Sequence, residues 1–97
     1  MASIPEHLLG KLDKLAVRLR SLLAVLDAFR RSAGQSGENL KANALYCRTL
    51  RSSGKLSCEL TSRLDTLHEI VSEEEFSSLL ARLGCSWDDT KSRASLK

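Results

Sequence analysis

The sequence predicts an all-α protein. We expect an antiparallel, coiled-coil-like helical hairpin, a short third helix folding back onto it, and a disordered C-terminal tail. Three observations carry that expectation. Pro5 is the sole proline among 97 residues, and Leu, Ala, Arg, Lys and Glu are abundant, a composition that favours helix. Two long stretches repeat apolar or small residues at alternating spacings of four and three, the pattern of a helix with one sticky seam. The stretch Gly34-Gln35-Ser36-Gly37 separates them, and so short a loop implies antiparallel neighbours. The chain therefore reads as one helical domain over 1–87, with helices at about 4–33, 38–71 and 73–83, and a tail over 88–97.

In the first helix, Ser3 and Glu6 have the spacing of a capping box, and Pro5 falls in the first turn, where a missing N–H costs little. The seam runs Leu8, Leu12, Leu15, Leu19, Leu22, Leu26, Phe29, Ala33. Leu9, Ala16 and Leu23 form a flanking row. The apolar stripe is thus wider than a two-stranded coiled coil needs, which suits a helix touching several neighbours. Arg30 and Arg31 complement the helix dipole, and Gly34 is the expected left-handed terminator.

Ser36 or Asn39 is placed to cap the second helix, whose seam reads Tyr46, Leu50, Ser53, Ser57, Leu60, Leu64, Leu67, Val71. Ser52-Ser53-Gly54 interrupts its apolar character. An interior glycine costs about 1 kcal/mol relative to alanine. Since the heptad phase matches on both sides of Gly54, the spacing predicts one continuous helix. Ser72 then opens the third element. Ser72 and Glu75 make a capping box, Val71 and Phe76 a hydrophobic staple, and Glu73, Glu74 and Glu75 meet the positive helix end. Phe76, Leu79, Leu80 and Leu83 share one face, and Gly84 ends the helix. Beyond Cys85 and Trp87, the segment 88–97 shows no helical apolar periodicity.

Charge is unevenly spread about a net of +3: six basic and three acidic groups over 4–33, five and four over 38–71, one and five over 72–89, and three and none over 90–97. The three cysteines, Cys47, Cys58 and Cys85, are an odd number, and no secretory pattern precedes them. Reduced thiols in an intracellular setting, cytoplasmic or nuclear, are expected. The longest apolar run, Leu22–Leu26, is too short to span a bilayer, and acids at Glu6, Asp13 and Asp27 argue against a transit peptide.

No constellation for catalysis emerges. The candidate metal ligands His7, Cys47, Cys58, His68 and Cys85 lack paired close spacing. Cys58 and His68 are ten residues apart, about 15 Å along a helix and outside hydrogen-bond reach. Glu73-Glu74-Glu75 and Asp88-Asp89 are adjacent runs rather than carboxylates opposed across a cleft, and Ser53-Gly54-Lys55 lacks the upstream glycine of a phosphate loop. The sequence thus points away from an enzyme and calls for no cofactor or metal.

Two long seams and one short third helix leave apolar surface uncovered, with Leu9, Leu23 and Val25 expected to stay open. The expectation is a small subunit or adaptor of a multiprotein assembly, homo- or hetero-oligomeric. It would bind partner helices through Leu9, Leu12, Leu19, Leu23, Leu26, Leu60, Leu64 and Leu67. The alternative is an accessory protein that uses its basic first helix and tail on nucleic acid or an anionic membrane. The basic residues are mixed with acids and lack interleaved aromatics, which favours the protein partner.

Overall fold

The computed structural model describes residues 4–37 and 39–96. Three helices follow one another: α1 over Glu6–Ser36, α2 over Ala44–Ile70 and α3 over Glu73–Leu83. A two-stranded antiparallel sheet closes the chain, β1 over Cys85–Asp88 and β2 over Arg93–Leu96. α1 and α2 form the hairpin, and the molecule measures 54 × 28 × 17 Å. α3 and the sheet lie against the lower end of the hairpin, where the α2–α3 turn sits. The upper end, near the α1–α2 turn, has, among the described residues, its two helices and a short 3₁₀ turn over Leu40–Ala42.

The helices form where the seams place them, but three boundaries differ from expectation. α1 runs through Gly34, and Gly37 takes the left-handed conformation (φ 72°), its N–H donating to the Ala33 carbonyl at 2.8 Å. Either glycine can adopt that geometry. Carrying the helix past Gly34 adds intrahelical bonds, and the Ser36 hydroxyl donates to Ser32 O at 3.0 Å. Ser36 therefore ends α1 instead of capping α2. The second helix begins at Ala44 rather than 38, because two asparagines compete for the backbone in turn. Asn39 Oδ1 accepts from Lys41 N–H at 3.1 Å and opens a 3₁₀ turn over Leu40–Ala42. Asn43 Oδ1 then accepts from Tyr46 N–H at 3.0 Å and caps α2. The expected Ser3 cap lies outside the described residues; within them Pro5 occupies the N-cap position of α1.

α2 is continuous across Gly54. Its inward line, however, follows 3.6 residues per turn rather than the heptad. Thr49, eighteen residues before Leu67 and so five turns away, is buried, whereas the seam residue Leu50 is 44 % exposed. Leu50 points about 100° away from Leu67 around the helix axis. The two buried hydroxyls are satisfied within their own helix, Thr49 donating to Leu45 O and Ser53 to Leu50 O, each at 2.8 Å.

α3 forms as the capping signals predict. Ser72 Oγ accepts from Glu75 N–H at 3.2 Å, and Val71 packs on the core beside buried Phe76. Gly84 ends the helix at φ 69°.

The tail is the main correction. In place of the disorder expected over 88–97, residues 93–96 pair with 85–88, in the register Cys85↔Leu96, Ser86↔Ser95, Trp87↔Ala94, Asp88↔Arg93. The fold is therefore mostly helical rather than all-α. The physical reason is a period-two pattern. Cys85 and Ala94 are buried, Trp87 and Leu96 pack against the core, and their neighbours face out. The Asp88 carboxylate holds the turn, accepting from Thr90 N–H at 3.0 Å and Lys91 N–H at 3.4 Å. Ala94 N–H donates to Thr61 Oγ1 at 3.3 Å, pinning β2 to α2.

The core gathers at this lower end: Leu12, Ala16 and Leu19 of α1, Leu60, Leu64 and Leu67 of α2, Phe76, Leu79 and Leu83 of α3, with Cys85 and Ala94. His68, Phe76 and Trp87 tie three elements together. His68 stacks on Phe76 at 4.2 Å between centroids, and Trp87 meets both rings edge-on.

Candidate interaction surfaces

Six of the eight leucines expected to contact a partner, Leu12, Leu19, Leu26, Leu60, Leu64 and Leu67, are buried inside the chain itself. A partner reaches them only if the hairpin opens. Leu9 is half-buried and lines a shallow cleft of about 520 Å³ with Ile4, Glu74, Glu75, Ser78, Leu79 and Arg82. Leu23 is 40 % exposed, and Val25, also expected to stay open, is exposed as well.

The hairpin has two broad faces. α3 and the sheet cover one of them only in part. Where they sit, polar contacts hold them. The Arg20 guanidinium donates to Leu83 O at 2.9 Å, and Arg82 donates twice to Asp13, at 2.9 and 3.4 Å. Asp13 beside it raises the Arg82 pKa further. α3 has 11 residues and α1 has 31, so at 1.5 Å per residue about 16 Å of helix lies along about 46 Å. Above that point, among the described residues, neither α3 nor strand covers the face. Leu23 follows Arg20 by three residues, so it lies on the covered side. Leu50 precedes Gly54 and Ser57, which flank the sheet's turn, by four and seven. Phe29 meets Tyr46 with centroids 5.9 Å apart, and Arg30 Nε donates to the Tyr46 hydroxyl at 3.3 Å. That register brings Leu23 and Leu50 to nearly the same level.

Among the described residues, the opposite face carries neither α3 nor strand. Two adjoining depressions run along it between α1 and α2. One, of about 250 Å³, is lined by Lys11, Lys14, Leu15, Arg18, Glu59 and Arg63. The next, of about 270 Å³, is lined by Arg18, Leu22, Ser52, Lys55 and Leu56. Arg18 belongs to both. Leu15, Leu22 and Leu56 make a half-buried floor, and five cationic side chains face one carboxylate. Arg63 donates to Glu59 Oε1 at 3.2 Å, while its Nε is buried without a hydrogen-bond partner. Among the described residues, Lys11, Lys14, Arg18 and Lys55 form no ion pair. Taken singly along the chain, these cations look scattered, and their alignment escapes notice. The signal for it is the spacing Lys11, Leu15, Arg18, Leu22, Val25, a second stripe on α1.

The thiols are free and differ in access: Cys58 is exposed, Cys47 intermediate and Cys85 buried. Burial raises the Cys85 pKa, with Arg20 opposing it weakly. No described helix is long and apolar enough to cross a membrane.

Comparison of the chain with protein-family models, with curated proteins and with solved structures finds no match in any of the three.

Proposed function

We propose that this chain is a non-enzymatic helical subunit or adaptor of a multiprotein assembly, taking partner helices against the upper, two-helix half of its hairpin. The observation that supports this is the short reach of α3. Leu23 and Leu50, 40 % and 44 % exposed, continue a face that is fully packed lower down. A partner helix laid there extends the three-layer packing upward and buries both leucines, each contributing about 1 kcal/mol for the part of the side chain still exposed. Gly54, exposed beside Leu50, permits close approach of another backbone. Of the seam and flank leucines expected to meet a partner, Leu23 is the exposed contact in this arrangement, and Leu9 borders the same covered side. The three unpaired thiols suit a reducing compartment, cytoplasm or nucleus.

The test uses Leu23→Glu and Leu50→Glu, both at exposed positions where the monomer tolerates a charge. Circular dichroism and light scattering of the purified chain, with the size of the complex recovered from its source cells, are read together. We expect unchanged helix content and loss of association, to a second copy or to another chain. If both variants fold and neither changes the size of any species, the proposal fails.

A further inference from the structure

The open face of the hairpin has its own signature, separate from the Leu23–Leu50 surface. Lys11, Leu15, Arg18, Leu22 and Val25 follow one another on α1 at spacings of four and three. On α2, Leu45, Ser52, Leu56, Glu59 and Arg63 form the facing stripe, at spacings of seven, four, three and four. Both depressions lie between these stripes. The result is a trough with a leucine floor and cationic walls, continued upward by exposed Val25 and Leu45. From Leu45 to Arg63 it runs eighteen residues of α2, about 27 Å or five helical turns.

We propose that this trough binds an acidic amphipathic helix of a partner protein, about five turns long, with leucine-like side chains on one face and carboxylates on both flanks. Three arguments select that occupant. A concave, apolar floor between two helices accepts a ridge of side chains from a third. Lys11, Lys14, Arg18 and Lys55 are unneutralised among the described residues, so carboxylates on the flanks of the incoming helix meet complementary charge. A second copy laid face to face would instead set five cations and one carboxylate against the same set, which disfavours symmetric pairing on this face. A nucleic-acid backbone would satisfy the cations but leave the leucine floor unused. A flat bilayer fits a surface whose apolar residues stand proud of the charges, whereas Leu15, Leu22 and Leu56 are recessed and half-buried.

The experiment uses the full chain and a fluorescein-labelled synthetic peptide of about 18 residues, with Leu at alternating spacings of three and four and Glu on the flanks. A peptide of identical composition, scrambled to destroy the apolar face, is the control. Duplex DNA and vesicles containing phosphatidylserine are titrated in parallel. The ordered peptide is expected to bind at least about ten-fold more tightly than the scrambled one and more tightly than duplex or vesicles. Its affinity should fall about ten-fold for Arg18→Glu/Lys55→Glu and also for Val25→Ser/Leu45→Ser, all exposed positions. A peptide with Lys in place of Glu should then prefer the Arg18→Glu/Lys55→Glu chain. Leu23→Glu should leave peptide binding unaltered, so failure here and failure of the upper surface are read separately. Absence of binding, equal binding of the scrambled peptide, or tighter binding of duplex or vesicles overturns the proposal.

Discussion

The lower and upper halves of the hairpin are built from the same two helices and read alike in sequence, yet they are different materials. Below, the leucines of α1 and α2 meet α3 and the sheet in three layers, and the contacts Arg20–Leu83 and Arg82–Asp13 lock the cover in place. Above, the buried residues are Leu26, Ala33, Thr49 and Ser53, outside the main cluster, with hydroxyls that bond to their own helix. The apolar seam therefore reports burial reliably only where further layers stack on it; in the upper half the off-seam Thr49 is buried and the seam residue Leu50 is not. Stability concentrates where the layers stack, and the free surface appears where they stop.

The largest expected effect tests that contrast directly. Leu64→Ala, at a fully buried site among three layers, should destabilise the chain by about 2–5 kcal/mol. Leu26→Ala, equally buried but flanked by only two helices, should cost less, because the upper helices can close on the cavity. Urea midpoints of the two variants read the difference. Equal losses would break the comparison and show the upper half to be as well packed as the lower.

A smaller effect separates the two left-handed glycines. A Cβ added at Gly37, in the upper turn, would meet open space, so Gly37→Ala should cost only the conformational term, about 1–2 kcal/mol. At Gly84 a Cβ would sit 2.7 Å from the Arg20 guanidinium, so Gly84→Ala must also displace the side chain that caps α3. It should therefore lose more than Gly37→Ala in the same denaturation experiment. If Gly37→Ala is the costlier, the Arg20 contact does not hold the cover.

The smallest effect is chemical. Cys58 should react with a maleimide first and Cys85 only on unfolding, since burial both shields the Cys85 thiol and raises its pKa. A raised thiol pKa means that the folded state keeps its proton after the unfolded state has lost it. The stabilising contribution is thus complete below the ordinary thiol value of about 8.5 and declines as pH rises past it. Cys85→Ala should flatten that decline in a series of denaturation curves at rising pH. Early labelling of Cys85 would show that the sheet opens readily and that the lower half is less secure than its packing suggests.

Much of the fold was legible along the chain. The α1 seam from Leu12 to Ala33, continuity through Gly54, the Ser72 cap and the Gly84 stop all depend on local spacing and capping chemistry, which neighbouring residues express on their own. The sheet was legible in principle, because Cys85-Ser86-Trp87 and Arg93-Ala94-Ser95-Leu96 alternate with period two. A search for helical period passes over so short a signal. The candidate surfaces were less accessible. Leu23 and Val25 are exposed as expected, but only Leu23 lies on the side that α3 covers in part; Val25 lies on the opposite face. Leu9 is half-buried, and the other six partner leucines went inward, because a chain buries its best apolar residues within itself before offering any to a partner.

By itself, then, the sequence determined the helices and the third helix's sharp turn, since each rests on interactions within a few residues. Tertiary structure alone decided that Thr49 faces in and Leu50 out, because the position of α1 fixes which line of a straight 3.6-residue helix is turned inward. It also decided that the final residues become a strand, because β2 gains its order from β1, Thr61 and the core rather than from its own propensity. The alignment of Arg18 with Lys55 and Arg63 across two helices is likewise a product of packing register, which brings charges distant in the chain onto one trough.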